Sequence, residues 1–183
     1  MKLFVFMGAS GSGKSAIQHS LPIDFMTNRT TRQLRDGEID GYHIKQVSRE
    51  EFSRLDEDGY FFESFTYADN FYGTPNYMID RLLEGKPYHC TKEVNGAKKL
   101  KDKLGDKVVI IYIKPPSVDV LVERMVNRGD SRKNIESRLS HLEETNELEN
   151  EKYADYVILN DDLKDAQLEA HRIVIKELVN EHG

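Results

Sequence analysis

The sequence predicts an α/β fold, a mostly parallel sheet with helices on both faces, and three observations carry that expectation. KLFVFM (2–7) and KVVIIYI (107–113) are short, continuous apolar runs of the kind found in strands buried on both faces. Segments with helical spacing follow each of them. Strand and helix then alternate to the end of the chain, so the strands should be joined by crossovers.

Taken in order, KLFVFM is the first buried strand, and a glycine-rich loop leads from it into a short helix from Ser15 to about Leu21, stopped by Pro22. A second apolar stretch lies near Ile23 to Met26. TNRTTRQLRDGEIDGYHI then has the glycines and polar residues of turns between short strands. Ser48 and Glu51 form a capping box for a helix ending near Gly59. The alternating aromatics of YFFESFTYADNFYGT suit a small half-exposed sheet, with Tyr60, Phe61 and Phe62 as its own core. Residues 30–80 thus form a polar, aromatic, β-rich insert.

NYMIDRLLEGK is a helix with Gly85 near its end, and PYHCTKE is weakly strand-like. Pro115 and Pro116 close the strand KVVIIYI. Ser117 caps a helix with Val118, Leu121, Val122 and Met125 on one face, and a polar break near Ser131 leads to another helix carrying Ile135, Leu139 and Leu142. YVIL is a short strand. The last segment spaces Leu163, Ala166, Ala170, Ile173, Val174 and Leu178 as a helix.

A chain of 183 residues buries one substantial core with room for a small lobe, so a single domain is expected. No apolar run approaches the roughly 18 residues of a membrane span. The apolar N-terminus is broken by Gly8 to Ser15 before it reaches signal-peptide length, and Cys90, the single cysteine, has no internal disulfide partner. A cytoplasmic location is the expectation. Lys and Arg number 26 against 32 Asp and Glu, and a net charge of −6 argues against general binding to nucleic acid or anionic membrane. Arginines nevertheless bunch at Arg29, Arg32 and Arg35, and again at Arg124, Arg128, Arg132 and Arg138. Such clusters on an acidic chain suit a small polyanionic ligand; the alternative is a solvated helix face paired with nearby Glu. The six histidines show no metal spacing.

The loop Gly8-Ala9-Ser10-Gly11-Ser12-Gly13-Lys14-Ser15 matches the P-loop. Its glycines let backbone N–H groups converge on phosphate oxygens, Lys14 neutralises the terminal phosphates, Ser15 reaches Mg²⁺, and the following helix contributes the positive end of its dipole. The loop implies a nucleoside triphosphate without saying what is done with it.

TTRQLRDGEIDG (30–41), ESF (63–65), FYGT (71–74), PPSVDVLVERMVNRGD (115–130), IESRL (135–139) and NDDL (160–163), with the P-loop, resemble the guanylate kinase family in matching order along nearly the whole chain. The resemblance implies a P-loop core (1–29, 81–123 and 145–183) holding MgATP, a nucleoside monophosphate insert (about 30–80) holding GMP, and a helical lid (about 124–144) that closes with the insert during turnover. It implies that Arg32 and Arg35 grip the GMP phosphate, that Glu63 accepts from the guanine edge, and that Tyr72 and Thr74 touch the phosphate and the base. Arg124 and Arg128 fall near the ATP phosphates, with Arg138 bridging donor and acceptor. Lys14, Arg128 and Arg138 carry the catalytic expectation. Asn160 matches a residue near adenine, while Asp161 and Asp162 suit a helix cap.

Three departures stand out. Ile44 occupies the place of a family tyrosine that hydrogen-bonds the GMP phosphate, with Tyr42 and His43 as neighbours able to donate. Thr91 and Glu93 stand for the family's two acids, of which Glu93 keeps its charge. Asn28 stands for a serine and still offers a donor and an acceptor. The expected reaction is ATP + GMP to ADP + GDP, with dGMP as a further acceptor; the alternatives are a kinase for another small phosphorylated acceptor and a non-catalytic binding module. Nucleotides are the expected partners, and a homo-oligomer is left open.

Overall fold

The structure is a computed structural model that describes residues 1–35, 37–67 and 69–180. Asp36 of the arginine motif, Ala68 of the aromatic stretch and residues 181–183 of the expected core segment lie outside the described residues. In chain order the elements are β1 (Leu3–Met7), α1 (Lys14–Gln18), β2 (Asp24–Phe25), β3 (Asn28–Thr30), β4 (Ile44–Gln46), α2 (Arg49–Glu57), β5 (Phe61–Tyr67), β6 (Asn70–Pro75) and α3 (Asn76–Leu83). They continue with β7 (Tyr88–Thr91), α4 (Val94–Leu104), β8 (Val108–Lys114), α5 (Val118–Asn127), α6 (Arg132–Glu144), β9 (Tyr156–Leu159) and α7 (Leu163–Val179). The chain divides into two compact units, one of Met1 and Ile23–Cys90, the other of Lys2–Pro22 and Thr91–Gly183.

In the second unit β8 pairs in parallel with β1 (Leu3 opposite Val108) and with β9 (Ile111 opposite Tyr156). All five residues of β1 and the first six of β8 are buried, which is why both read as unbroken apolar runs. Ala166, Ala170, Ile173 and Val174 supply the buried face of α7, and Ala97 and Leu100 that of α4. Helix starts follow their caps: Ser117 accepts from Val120 N–H, Ser131 from Asn134 N–H, and Asp162 from Lys164 and Asp165 N–H.

Two helical expectations shift. α1 ends at Gln18, and the chain continues to Leu21 through tighter turns, Ser20 N–H to Ile17 and Leu21 N–H to Gln18, because the residue before Pro22 is steered out of the helical region. On α5, Leu121 and Met125 are buried as the spacing predicts, but Val118 in the first turn is 37% exposed and lines a cleft with Leu139, Leu142 and Leu148.

The first unit carries a four-stranded sheet, in the order β4-β3-β6-β5. β3 is parallel to β4 and antiparallel to β6, and β5 and β6 form a hairpin. On one side α2 packs through Phe52, whose ring stacks on Phe61 at 4.6 Å and lies 5.5 Å from Phe71. Phe61 lies so close over Gly73 that a Cβ there would meet its ring at 2.5 Å. Ser48 accepts from Glu51 N–H, as its capping box predicts. β2 and β7 add a short parallel pair, Asp24 opposite Tyr88. Among the described residues, no helix is long and apolar enough to cross a membrane.

Candidate active site

In the second unit, the loop from Gly8 to Ser15 joins the buried end of β1 to α1. Gly8 has φ +137°, and a Cβ on it would come within 2.5 Å of the Ile113 carbonyl oxygen. Gly13, the residue before α1, has φ +96°, and the Asn160 amide fills the place its Cβ would take. Both positions exclude any side chain on two separate grounds, conformation and space. Ser12 N–H returns to the Ala9 carbonyl, and Lys14 Nζ donates to the carbonyls of Gly8 (2.5 Å) and Ala9 (2.9 Å). The loop therefore holds its own ammonium group across its mouth. Ser15 is exposed at the first turn of α1.

α6 and the residue after β9 bond the loop directly, and α5 is linked to it through them. Arg138 Nη1 on α6 donates to Ser10 Oγ. Arg128, at the end of α5, forks onto Asp130 through Nε (3.2 Å) and Nη2 (2.5 Å), and Arg138 lies 4.0 Å from the same carboxylate. Arg124 Nη2 donates to the Asn160 carbonyl (2.8 Å), and Asn160 Nδ2 donates to the Ser12 carbonyl (2.7 Å). Asn160 is 2% exposed. Arg132, 93% exposed at its side chain and paired with Glu136, is the solvated helix-face pair that the plain reading of the cluster expects. The structure thus splits that cluster: Arg138 bonds the loop directly, Arg124 reaches it through Asn160, Arg128 shares Asp130 with Arg138, and Arg132 faces solvent.

The two positions that depart from paired acids are in the same unit. Thr91 Oγ1 donates to Gln18 Oε1 (2.8 Å), a neutral bond. Glu93 caps α4, with Oε1 accepting from Gly96 N–H and Oε2 from Asn95 N–H, so its charge serves the helix start.

The first unit places Asn28, Glu63, Tyr72 and Thr74, four of the residues expected on the acceptor side, on one face of its sheet. Directly opposed residues share a face, and Glu63 opposes Thr74, Phe65 opposes Tyr72, Thr30 opposes Tyr72, and Asn28 opposes Ile44. Thr74 Oγ1 lies 2.7 Å from Glu63 Oε1 and 3.0 Å from Asn28 Oδ1. A hydroxyl has one proton, so these two oxygens compete for it, and the charged carboxylate at the shorter distance takes the larger share. Glu63 is only 7% exposed. Tyr72 stacks on Phe65, rings 5.3 Å apart and nearly parallel. Ile44 opens β4 beside Asn28, so the apolar side chain falls on this face. Tyr42 and His43 precede the strand and pack edge-on against Phe25, and His43 Nδ1 accepts from Ile39 N–H.

Of the bunched arginines, Arg29 points to the opposite face, where it bonds the Tyr60 hydroxyl (3.1 Å) and sits near the rings of Tyr60 and Tyr77. Arg32 and Arg35 lie in the loop that follows β3. Their organiser, Glu38, was quoted in the motif without a role. Arg32 Nη2 donates to both Glu38 oxygens (2.9 and 3.0 Å), Arg35 N–H donates to Oε2 (2.7 Å), and Glu38 N–H returns to the Arg35 carbonyl (3.0 Å). Burial alone would raise the Glu38 carboxyl, but the bond from Arg32, the N–H of Arg35 and both guanidinium charges outweigh it and hold the group below its usual range. The signal for this was its spacing of six residues from Arg32 across a turn glycine, Gly37.

Comparison with known proteins matches the chain as a whole. A family model described as guanylate kinase matches residues 1–177. The chain is 35% identical over 182 residues to a guanylate kinase of Oceanobacillus iheyensis, covering 96% of this chain and 87% of that protein. It is similar to the crystal structure of guanylate kinase from Anaplasma phagocytophilum, with a TM-score of 0.71 and 28% identity over 97% of this chain and 86% of the other. The match of that family model and the identity to that relative place the chain in the guanylate kinase family, the ATP-dependent phosphotransferases that phosphorylate GMP.

Proposed function

We propose that this chain transfers the terminal phosphoryl group of ATP to GMP in the cytoplasm, with the residues divided between its two units. Gly8 to Ser15 hold the triphosphate through main-chain N–H groups. Lys14 exchanges the carbonyls of Gly8 and Ala9 for phosphate oxygens. Ser15 would offer one hard oxygen to Mg²⁺, which would supply charge neutralisation at the phosphates. A lone exposed hydroxyl suits that single contribution.

Arg128 and Arg138 are set beside one carboxylate, Asp130, which they would trade for the oxygens of the transferring group. Phosphoryl transfer is a matter of position and electrostatics, so no protein nucleophile is required. Arg124 acts from behind, on Asn160. On the acceptor side, Arg32 and Arg35 bind the GMP phosphate with Tyr72, and Asn28, Glu63 and Thr74 bind the base. Glu93, in the other unit, fixes the start of α4. Ile44 offers no donor, so the acceptor phosphate depends more heavily on Arg32.

The observation that carries the choice of guanine is Glu63: an acid almost wholly buried, beside one hydroxyl, on the face that holds Asn28 and Tyr72. A carboxylate accepts from guanine N1–H and N2–H₂, and adenine presents a bare acceptor at N1, which would leave the charge unpaired. A coupled ADP-release assay across GMP, dGMP, AMP, UMP, CMP and ribose phosphates tests it. GMP should be the best substrate, and Glu63→Gln should cost about a hundredfold in kcat/KM for GMP, as loss of a charged partner to a buried hydrogen bond does. Preference for a pyrimidine nucleotide or a sugar phosphate would overturn the acceptor assignment, and ATP binding without turnover of any acceptor would favour the binding-module alternative.

A further inference from the structure

Asn160 follows β9 and matches, by resemblance, a residue near adenine; its amide nitrogen is engaged inside the phosphate loop, while its Oδ1 is buried without a hydrogen-bond partner. Its backbone is pinned from both sides: Asn160 N–H donates to the Lys114 carbonyl (2.8 Å), and its own carbonyl accepts from Arg124. Its Nδ2 donates to the Ser12 carbonyl inside the phosphate loop. Only one of the two amide orientations places a donor against that carbonyl, so the orientation is fixed.

The peptide that joins Ser12 to Gly13 is planar, and no cis bond occurs among the described residues. In a trans peptide the C=O and the N–H point in opposite directions. Holding the Ser12 carbonyl toward Asn160 therefore aims the Gly13 N–H away from Asn160. That N–H belongs to the run of loop amides before Lys14. The same amide also fills the space of a Gly13 Cβ, so the contact and the glycine require each other.

We propose that Asn160 is a positioning residue for the phosphate loop, fixing the direction of the Gly13 N–H through the Ser12 carbonyl. This rests on the reading that the loop binds the ATP phosphates.

The test is Asn160→Asp, which conserves volume and replaces the donor with an acceptor facing the Ser12 carbonyl. Two probes are compared by competition against a fluorescent ATP analogue: ATP, and inorganic tripolyphosphate, which has no base. The loop role predicts that tripolyphosphate, which has no base, weakens on the order of ten- to a hundredfold and that ATP weakens at least as much. It also predicts recovery as pH falls, because the protonated carboxyl donates to Ser12 as the amide did, whereas wild-type affinity measured in parallel shows no such gain. A loss confined to ATP, with tripolyphosphate binding intact, assigns Asn160 to the base and overturns the proposal; so does unchanged binding of both. If Asn160→Asp fails to fold, Asn160→Ser keeps a hydroxyl donor of smaller reach and is judged by the same two probes. A wild-type protein that binds neither probe would refute the ATP reading itself, separately from the role of Asn160.

Discussion

The two proposed anion sites of this protein are built on opposite plans. In the phosphate loop the donors are main-chain amides, and packing sets their direction: Gly8 against the Ile113 carbonyl, Gly13 against Asn160, and Lys14 drawn over the carbonyls of Gly8 and Ala9. In the arginine turn the donors are side chains, and one carboxylate, Glu38, organises them. A main-chain cradle costs no side-chain entropy to preorganise and tolerates almost no substitution. A side-chain clamp carries flexible arms, loses rotamer freedom when it closes, and depends on a counterion to limit that loss.

The sharpest break of this contrast comes from Lys14→Ala. The loop backbone is set by its glycines, so the fold and GMP binding should survive while kcat falls by about a hundred- to a thousandfold, measured in the coupled assay with saturating ATP. Unimpaired turnover would remove Lys14 from the chemistry. A smaller effect is expected of Arg32→Lys, which keeps the charge and loses the planar fork. KM for GMP should rise about tenfold or more while KM for ATP holds, a split that assigns the side chain to one substrate alone. Equal changes in both constants would erase the division of labour between the units.

Smallest is Glu38→Gln, expected to raise KM for GMP about two- to fivefold, since the pair is partly solvated and screened. Its pH dependence carries the diagnosis. The Glu38 carboxyl is held below its usual range, so the ordering it provides is complete above the ordinary carboxyl range and fades as pH falls through the lowered value. Wild type and Glu38→Gln should therefore differ in GMP affinity near neutrality and converge in acid. A constant difference across that range would show that Glu38 acts by packing alone.

The same contrast explains how much could be read from the sequence. The cradle was legible because conformation at positive φ demands glycine, and because β1 before it is buried on both faces and so is apolar throughout. The caps Ser48, Ser117 and Asp162 were legible for a like reason, each being a local bond within three residues. What stayed hidden is what depends on distant chain. Ser12 and Asn160 are 148 residues apart, and nothing in either neighbourhood announces their bond. Arg29, bunched with Arg32 and Arg35 in sequence, faces Tyr60 and Tyr77 instead, because a strand sends alternate side chains to opposite faces. Pro22 announces an end to α1, but the helix stops at Gln18, three residues before the expected Leu21, since proline restrains the residue before it as well. Glu38 stood in plain view inside a motif. Its partner could be assigned only once the turn through Gly37 had brought it back to Arg32.

The division of the chain bears on how it is made. Apart from Met1, the unit with the guanine-suited face is one continuous stretch, Ile23–Cys90, so everything it needs is available early in synthesis. The other unit begins with Lys2–Pro22 and cannot close until the segment after Thr91 has been translated. The bond that fastens Ser12 must wait for Asn160 to leave the ribosome, so a nascent chain can complete its acceptor fold long before its ATP loop is locked.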